Sequence, residues 1–251
     1  MGTFKAYFKK EIKESQAQYK YLVLAAGIIT FALLDPIMIK LLPILLKSKI
    51  PGDLSSLFVI DQKAAVLSYM KDLFQIGSFF IVFVHCGTLS DEIYNEKLVF
   101  AYSKGAKPSS IVLAKTIHYT LVVLILTFIG FIINIYYSQI LFKENTIKLS
   151  MVIISALLMS IYFLFNICLV TLLSSVFKKS FSSGILTLTL NFMSIPLMVI
   201  KSLVKFIPYN LVKGANSFSL NDMTFTIIFV ICSSATLIWL TIIRMNKVEV
   251  I

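Results

Sequence analysis

Charge is scarce in this chain, and arginine is almost missing. Only 14% of its 251 residues are charged, where a soluble domain carries about 25%. Of the 23 basic residues all but Arg244 are lysine, and the formal net charge is +11. A nucleic-acid binder would gather such charge on one polar domain. Here the lysines are scattered between apolar runs, where positive charge marks membrane boundaries. Cysteine is limited to Cys86, Cys168 and Cys232, each within an apolar run and none in a CxxC or Cys/His spacing. That excludes a disulfide framework and a zinc site. Glycine is limited to nine residues, and no GxxxxGK[ST] occurs. The chain therefore has no phosphate-cradling loop and is not expected to hydrolyse ATP. HExxH and GxSxG patterns are missing as well.

What is there is apolar. Hydrophobic residues make up 58% of the chain, and the mean hydropathy is +0.90. A span needs about 20 mostly apolar residues. Six such runs predict an all-α, polytopic membrane protein, with spans at 21–46, 72–89, 111–137, 149–176, 181–205 and 223–243. The first 20 residues are too polar to span and show no small-residue cleavage pattern, so the first run is expected to stay as a span. Within those residues Phe4, Tyr7, Phe8, Ile12, Ser15 and Tyr19 share a helical face, with Lys5, Lys9, Lys10, Lys13 and Glu14 off it. That pattern suits an amphipathic helix in the headgroup layer; a terminal helix packed on protein is the alternative.

Three positions interrupt the runs. Tyr21–Leu34 covers only about 21 Å, so the first span must continue past Asp35-Pro36, kinked or broken there. Asp35 could cap a restarted helix, with Pro36 at its first position. It reads either as such a cap, paired with Lys40, or as a costly intramembrane carboxylate with a function. Pro196 predicts that the fifth span breaks before leaving the membrane, with a short re-entrant or interfacial piece after it. Residues 47–71 read as an external loop with short helical pieces, and 178–180 ("KKS") as a tight turn. The dense N-terminal lysines orient both termini to the inner side. Ser78, His118, Asn134, Ser160, Asn166 and Asn191 lie within spans and are expected to hydrogen-bond between helices. His85, beside Cys86, reads as a buried polar residue and not as a ligand, because no second metal-binding cluster accompanies it.

The stretch 91–115, "DEIYNEKLVFAYSKGAKPSSIVLAK", is longer and more charged than a connector requires. A helix is predicted over 91–103, started by Thr88 and Asp91 in a capping-box-like arrangement. Glu92 and Glu96 fall on one face and Tyr94, Leu98, Ala101 and Tyr102 on the other. The acidic face is either solvated or matched to a basic groove on a partner.

This stretch resembles the cytoplasmic segment of ABC-2 type transporter permeases. Glu92 falls on the family glutamate, Ser103-Lys104 on Ser-Arg, Ala106 on a small apolar residue, and Ile111–Lys115 on the closing Ile-Leu-Leu-Gly-Lys. Glu96-Lys97 stand where Gly-Thr is usual, Gly105 where Pro is usual, and Pro108 replaces a basic residue. The resemblance implies a type V exporter-like fold: an elbow helix over 1–20, a six-helix transmembrane domain over 21–251, and a cytoplasmic coupling helix at 91–103. It implies an ATPase-coupling set of Asp91, Glu92, Tyr94, Asn95, Glu96, Lys97 and Leu98. ATP and Mg would be bound by a partner ATPase subunit, and no cofactor or metal by this chain. A second permease copy or a paralogue, membrane lipid and the cargo complete the expected partners. Localisation would be the bacterial cytoplasmic membrane. The cargo expected is an amphipathic or hydrophobic peptide, as in exporters of bacteriocins or phenol-soluble modulins, with drugs or lipids second. Phe79, Phe83, Asn191 and Phe192 are expected along the pore. On this reading Glu92→Lys should uncouple transport and leave the chain folded. A secondary transporter or channel and, last, an intramembrane hydrolase are the readings from other classes.

Overall fold

In the computed structural model, residues 2–47, 60–142, 147–220 and 223–247 are described. Of these residues 83% are helical, and none is in a strand. Six helical stretches are long and apolar enough to cross a membrane: Lys20–Pro43, Gln62–Tyr94, Pro108–Leu141, Leu149–Val176, Ser180–Leu197 and Thr224–Asn246. This is consistent with a multi-pass membrane protein.

The chain starts with α1 (Thr3–Ala17), turns at Tyr19, where φ is 55°, and continues in α2 (Lys20–Lys47). The second span is built from α3 (Gln62–Asp72), a π-helical turn at Leu73–Gly77 and α4 (Ser78–His85). It is about ten residues longer at its start than the apolar count predicts. Gln62, Lys63 and Lys71 break the hydrophobic run, yet Gln62 is buried and the Asp61 side chain caps the helix by accepting from Ala64 N–H at 2.7 Å. Residues 48–59 of the expected external loop lie outside the described residues.

Two very short helices follow, α5 (Ser90–Tyr94) and α6 (Val99–Ser103), then α7 (Pro108–Leu141) and α8 (Leu149–Val176). A three-residue turn leads into α9 (Ser180–Leu197). This helix ends one residue after Pro196, well short of residue 205. A 3-10 turn at Val204–Phe206 leads to α10 (Tyr209–Asn216), and α11 (Thr224–Asn246) completes the bundle. The piece after Pro196 is short, as expected, and packs on the bundle. Leu211, Val212 and Ala215 of α10 are buried, and Ser155 of α8 donates to the Ala215 carbonyl at 2.8 Å.

Helices α7 and α8 form the centre. α2 and α1 pack on α7, and α9, α10 and α11 pack on α8. The main core joins Leu24, Ile28, Tyr69, Met70, Tyr119, Phe131, Met159, Tyr162 and Phe163.

The Asp35-Pro36 pair does not break α2, which runs on through both Pro36 and Pro43. Proline at 36 has no N–H to give to the carbonyl of Ala32, four residues back. Asn134 of α7 supplies that missing bond: its side-chain amide donates to Ala32 O at 3.2 Å, and both residues are fully buried. A neighbouring helix thus satisfies the freed backbone group, the condition under which a span tolerates proline. Asp35 is consequently mid-helix and buried, not a cap.

Candidate functional site

Five charged side chains meet where α1 crosses the start of α7. Glu11 and Ser15 are the buried residues of α1. Glu11 Oε1 accepts from Lys115 Nζ at 2.6 Å, and Lys115 is itself 2% exposed. The same Nζ lies 3.1 Å from Glu92 Oε1, and Glu92 is 3% exposed. Lys10 bonds Glu92 from the other side and lies 3.8 Å from Glu14. Carboxyl oxygens of Glu11, Glu14 and Glu92 gather within 4.8 Å of one another. The ammonium groups of Lys10 and Lys115 pair with all three and leave one formal negative charge over, so the arrangement is an ion-pair network. Tyr7 and Tyr102 border it. Burial first, and then the negative charge of Glu92, pushes the Tyr7 hydroxyl up to about 12. The same two causes raise Tyr102.

A second set of contacts ties the segment after α4 to the other helices. Ser174 of α8 accepts from the backbone N–H groups of Leu89 and Ser90 at 3.1 and 3.0 Å. This hydroxyl caps α5, a role the sequence assigned to Thr88; Thr88 instead donates back to the His85 carbonyl. Ser183 of α9 donates to Cys86 O at 3.0 Å, and Tyr94 OH reaches the Val176 carbonyl at 3.4 Å. Just above, His85 is buried with Nε2 2.7 Å from Thr171 Oγ1 and its ring edge on Tyr119. His118 lies 3.1 Å from Tyr21 OH and 3.4 Å from Ser15 Oγ. Both histidines thus have hydrogen-bonding partners inside the bundle.

The result is a firmly anchored knuckle. The expected single helix over 91–103 is two helices separated by a turn in which Glu96 has φ 58°. Asp91, Tyr94, Asn95, Glu96 and Lys97 are exposed, while Glu92 and Leu98 are buried. Leu98 packs with Leu89, Ile111, Val112 and Met245. The seven residues singled out from the sequence therefore divide into two anchors and a five-residue exposed surface. Glu92 and Glu96 do not share an acidic face, because the turn between them rotates one inward.

Of the expected pore residues, Phe79, Phe83 and Phe192 come together. Phe79 and Phe83 stack at 6.2 Å, and Phe79 lies 5.7 Å from Phe192. With Ile185, Leu188, Thr189, Met193 and Pro196 they line an open groove of about 570 Å³ between α4 and α9. Phe83 continues the row to Phe181 at 5.9 Å. Asn191 is buried beside the groove and does not line it; its side-chain nitrogen has no partner among the described residues.

Glu11 and Lys10 were not singled out from the sequence as partners of this segment. One signal was available: Tyr7, Glu11 and Ser15 follow one another at four-residue spacing, which puts Glu11 on the buried face. Neither a protein-family model nor a curated protein matches the chain.

Proposed function

We propose that the chain is the membrane-embedded permease subunit of an ATP-driven exporter, and that the exposed knuckle Asp91–Lys97 is where a separate ATPase subunit presses. One observation supports this most. A short exposed surface is fixed through Glu92, Ser90, Cys86 and Leu98 to α1, α7, α8, α9 and α11 together. A push on such a surface is passed to several spans as a rigid displacement; a floppy loop would absorb it. The aromatic groove between α4 and α9 lies along the same span that ends in the knuckle. Its apolar lining suits an amphipathic or hydrophobic peptide, in keeping with the general make-up of ligand sites. A second permease chain would close the groove into a path. The knuckle end of the bundle is then cytoplasmic.

The buried position of Glu92 changes the test that the sequence suggested. Glu92→Lys would place a third cation beside Lys10 and Lys115 and would disrupt the bundle end. The informative substitutions are at the exposed tip. Purification of the chain from its native membrane in mild detergent should recover a stoichiometric P-loop ATPase. That ATPase should be lost from Tyr94→Ala/Glu96→Arg. Recovery of a transport-active complex without any ATPase would overturn the proposal.

A further inference from the structure

A groove of about 500 Å³ opens between α1 and α6, beside the ion-pair network. Its floor and walls are Ala6, Tyr7, Phe100, Ala101 and Ala106, and its rim carries Lys10, Lys97 and Lys104. No carboxylate lines it. Lys10 is held by Glu92 and Glu14, but Lys97 and Lys104 make no ion pair with a carboxylate among the described residues. Lys104 rests its ammonium 4.1 Å from the Phe100 ring centre. Phe100 is 68% exposed, and Phe4, on the first turn of α1, is 40% exposed. Thr3, which also lines the groove, is the first residue of the 15-residue helix α1. The positive end of that helix therefore adds to the lysines.

We propose that this groove binds an anionic phospholipid such as phosphatidylglycerol, its phosphate among Lys10, Lys97 and Lys104 and the upper part of its acyl chains against Phe100 and Tyr7. Lys97 and Lys104, which no carboxylate neutralises among the described residues, select a negative headgroup, and Lys10, shared with Glu92 and Glu14, completes its surround. The apolar floor and the exposed phenylalanine are superfluous for a free phosphate and suit the acyl boundary. Basic pockets at the end of a helical bundle bind headgroups by this chemistry. The inference requires that the chain span a membrane; Lys97 also belongs to the exposed knuckle, and lipid retention by the purified chain reads the groove without any ATPase.

The test uses the full chain, purified in mild detergent and titrated with dioleoyl phosphatidylglycerol or dioleoyl phosphatidylcholine, with bound lipid counted by native mass spectrometry. Glycerol 3-phosphate and inorganic phosphate serve as competitors. Phosphatidylglycerol should be retained in preference to phosphatidylcholine, and Lys97→Ala/Lys104→Ala should weaken it at least about ten-fold, from about two lost lysine–headgroup contacts. Lys97→Arg/Lys104→Arg should restore it. Lys5→Ala/Lys13→Ala removes two exposed charges of α1 outside the groove and should leave retention unchanged. Equal retention of the two lipids, or equal loss in both alanine pairs, would overturn the proposal. Displacement by phosphate or glycerol 3-phosphate at lipid-like concentrations would also overturn it, by assigning the groove to a soluble anion. Unchanged thermal melting of each variant secures the comparison, because Lys97 and Lys104 are exposed and make no ion pair with a carboxylate among the described residues.

Discussion

Lys115 Nζ lies 3.1 Å from Glu92 Oε1, and these two residues stand near the opposite ends of the stretch that joins the second span to the third. The same ammonium reaches Glu11 at 2.6 Å, so α1 is locked into the pair. All three side chains are almost completely removed from solvent. A buried charge without its partner is far more costly than an intact pair. Lys115→Ala should therefore destabilise the chain by about 3–5 kcal/mol, visible as a lowered Tm in mild detergent. Replacing the group as a whole, with Glu11→Gln, Glu92→Gln and Lys115→Met together, should recover most of that loss. A Lys115→Ala chain as stable as the parent would show that the network carries no such role.

Asn134 and Pro36 should be energetically coupled. With Pro36 present, Asn134→Ala leaves the Ala32 carbonyl without a donor in an apolar setting. With Pro36→Ala, the new backbone N–H can satisfy that carbonyl within α2, and Asn134→Ala should cost less. A double-mutant cycle should give a coupling of about 0.6–1.7 kcal/mol, the range of interhelical hydrogen bonds in membranes. Additive effects would contradict the assignment of Asn134 as the proline's compensating donor.

Glu96 occupies the left-handed region at φ 58°, where a side chain is strained and glycine is not. It is also exposed. Glu96→Gly should be neutral to slightly stabilising, by up to about 1 kcal/mol. The same substitution should weaken recovery of the ATPase, because it removes a charge from the knuckle. Loss of stability with normal complex formation would reverse both assignments.

The Tyr7 hydroxyl gives a pH signature. Its folded value, about 12, lies above the ordinary 10 of an exposed tyrosine. The neutral form is favoured in the folded protein, so the contribution is fully present below pH 10. It is lost as pH rises from 10 through 12, where the unfolded chain has given up the proton and the folded chain has not. A spectrophotometric tyrosine titration of the parent minus Tyr7→Phe should show one hydroxyl ionising near pH 12. A difference centred at pH 10 would place Tyr7 in solvent and α1 away from α7.

Much of the architecture was legible in the sequence because a run of about 20 apolar residues is a strong and local signal. The second span shows the limit of that signal: Gln62, Lys63 and Lys71 hid its first ten residues. The continuity of α2 was hidden for a different reason. Whether a proline breaks a span depends on a donor 102 residues away in sequence, and Asn134 reads locally only as one more polar residue. Hydropathy likewise treats Glu11, Glu92 and Lys115 as solvent-seeking, whereas each is buried by the others. The break at Asn95–Leu98 carried no glycine or proline to mark it. The aromatic groove fared better. Phe79 and Phe83 are four apart and Phe192 falls opposite, but the inward turn of Asn191 depends on how α9 packs.

The most direct measurement is a photo-crosslink from a reactive amino acid at Asn95, the exposed tip of the knuckle, in the native membrane. A probe at Ile132, an exposed apolar position within α7, serves as the control. Crosslinking from position 95 to a P-loop ATPase, strengthened or weakened by ATP and absent from position 132, is the predicted result. An ATPase captured equally from both positions, or no ATPase captured from a transport-competent membrane, would contradict the permease assignment.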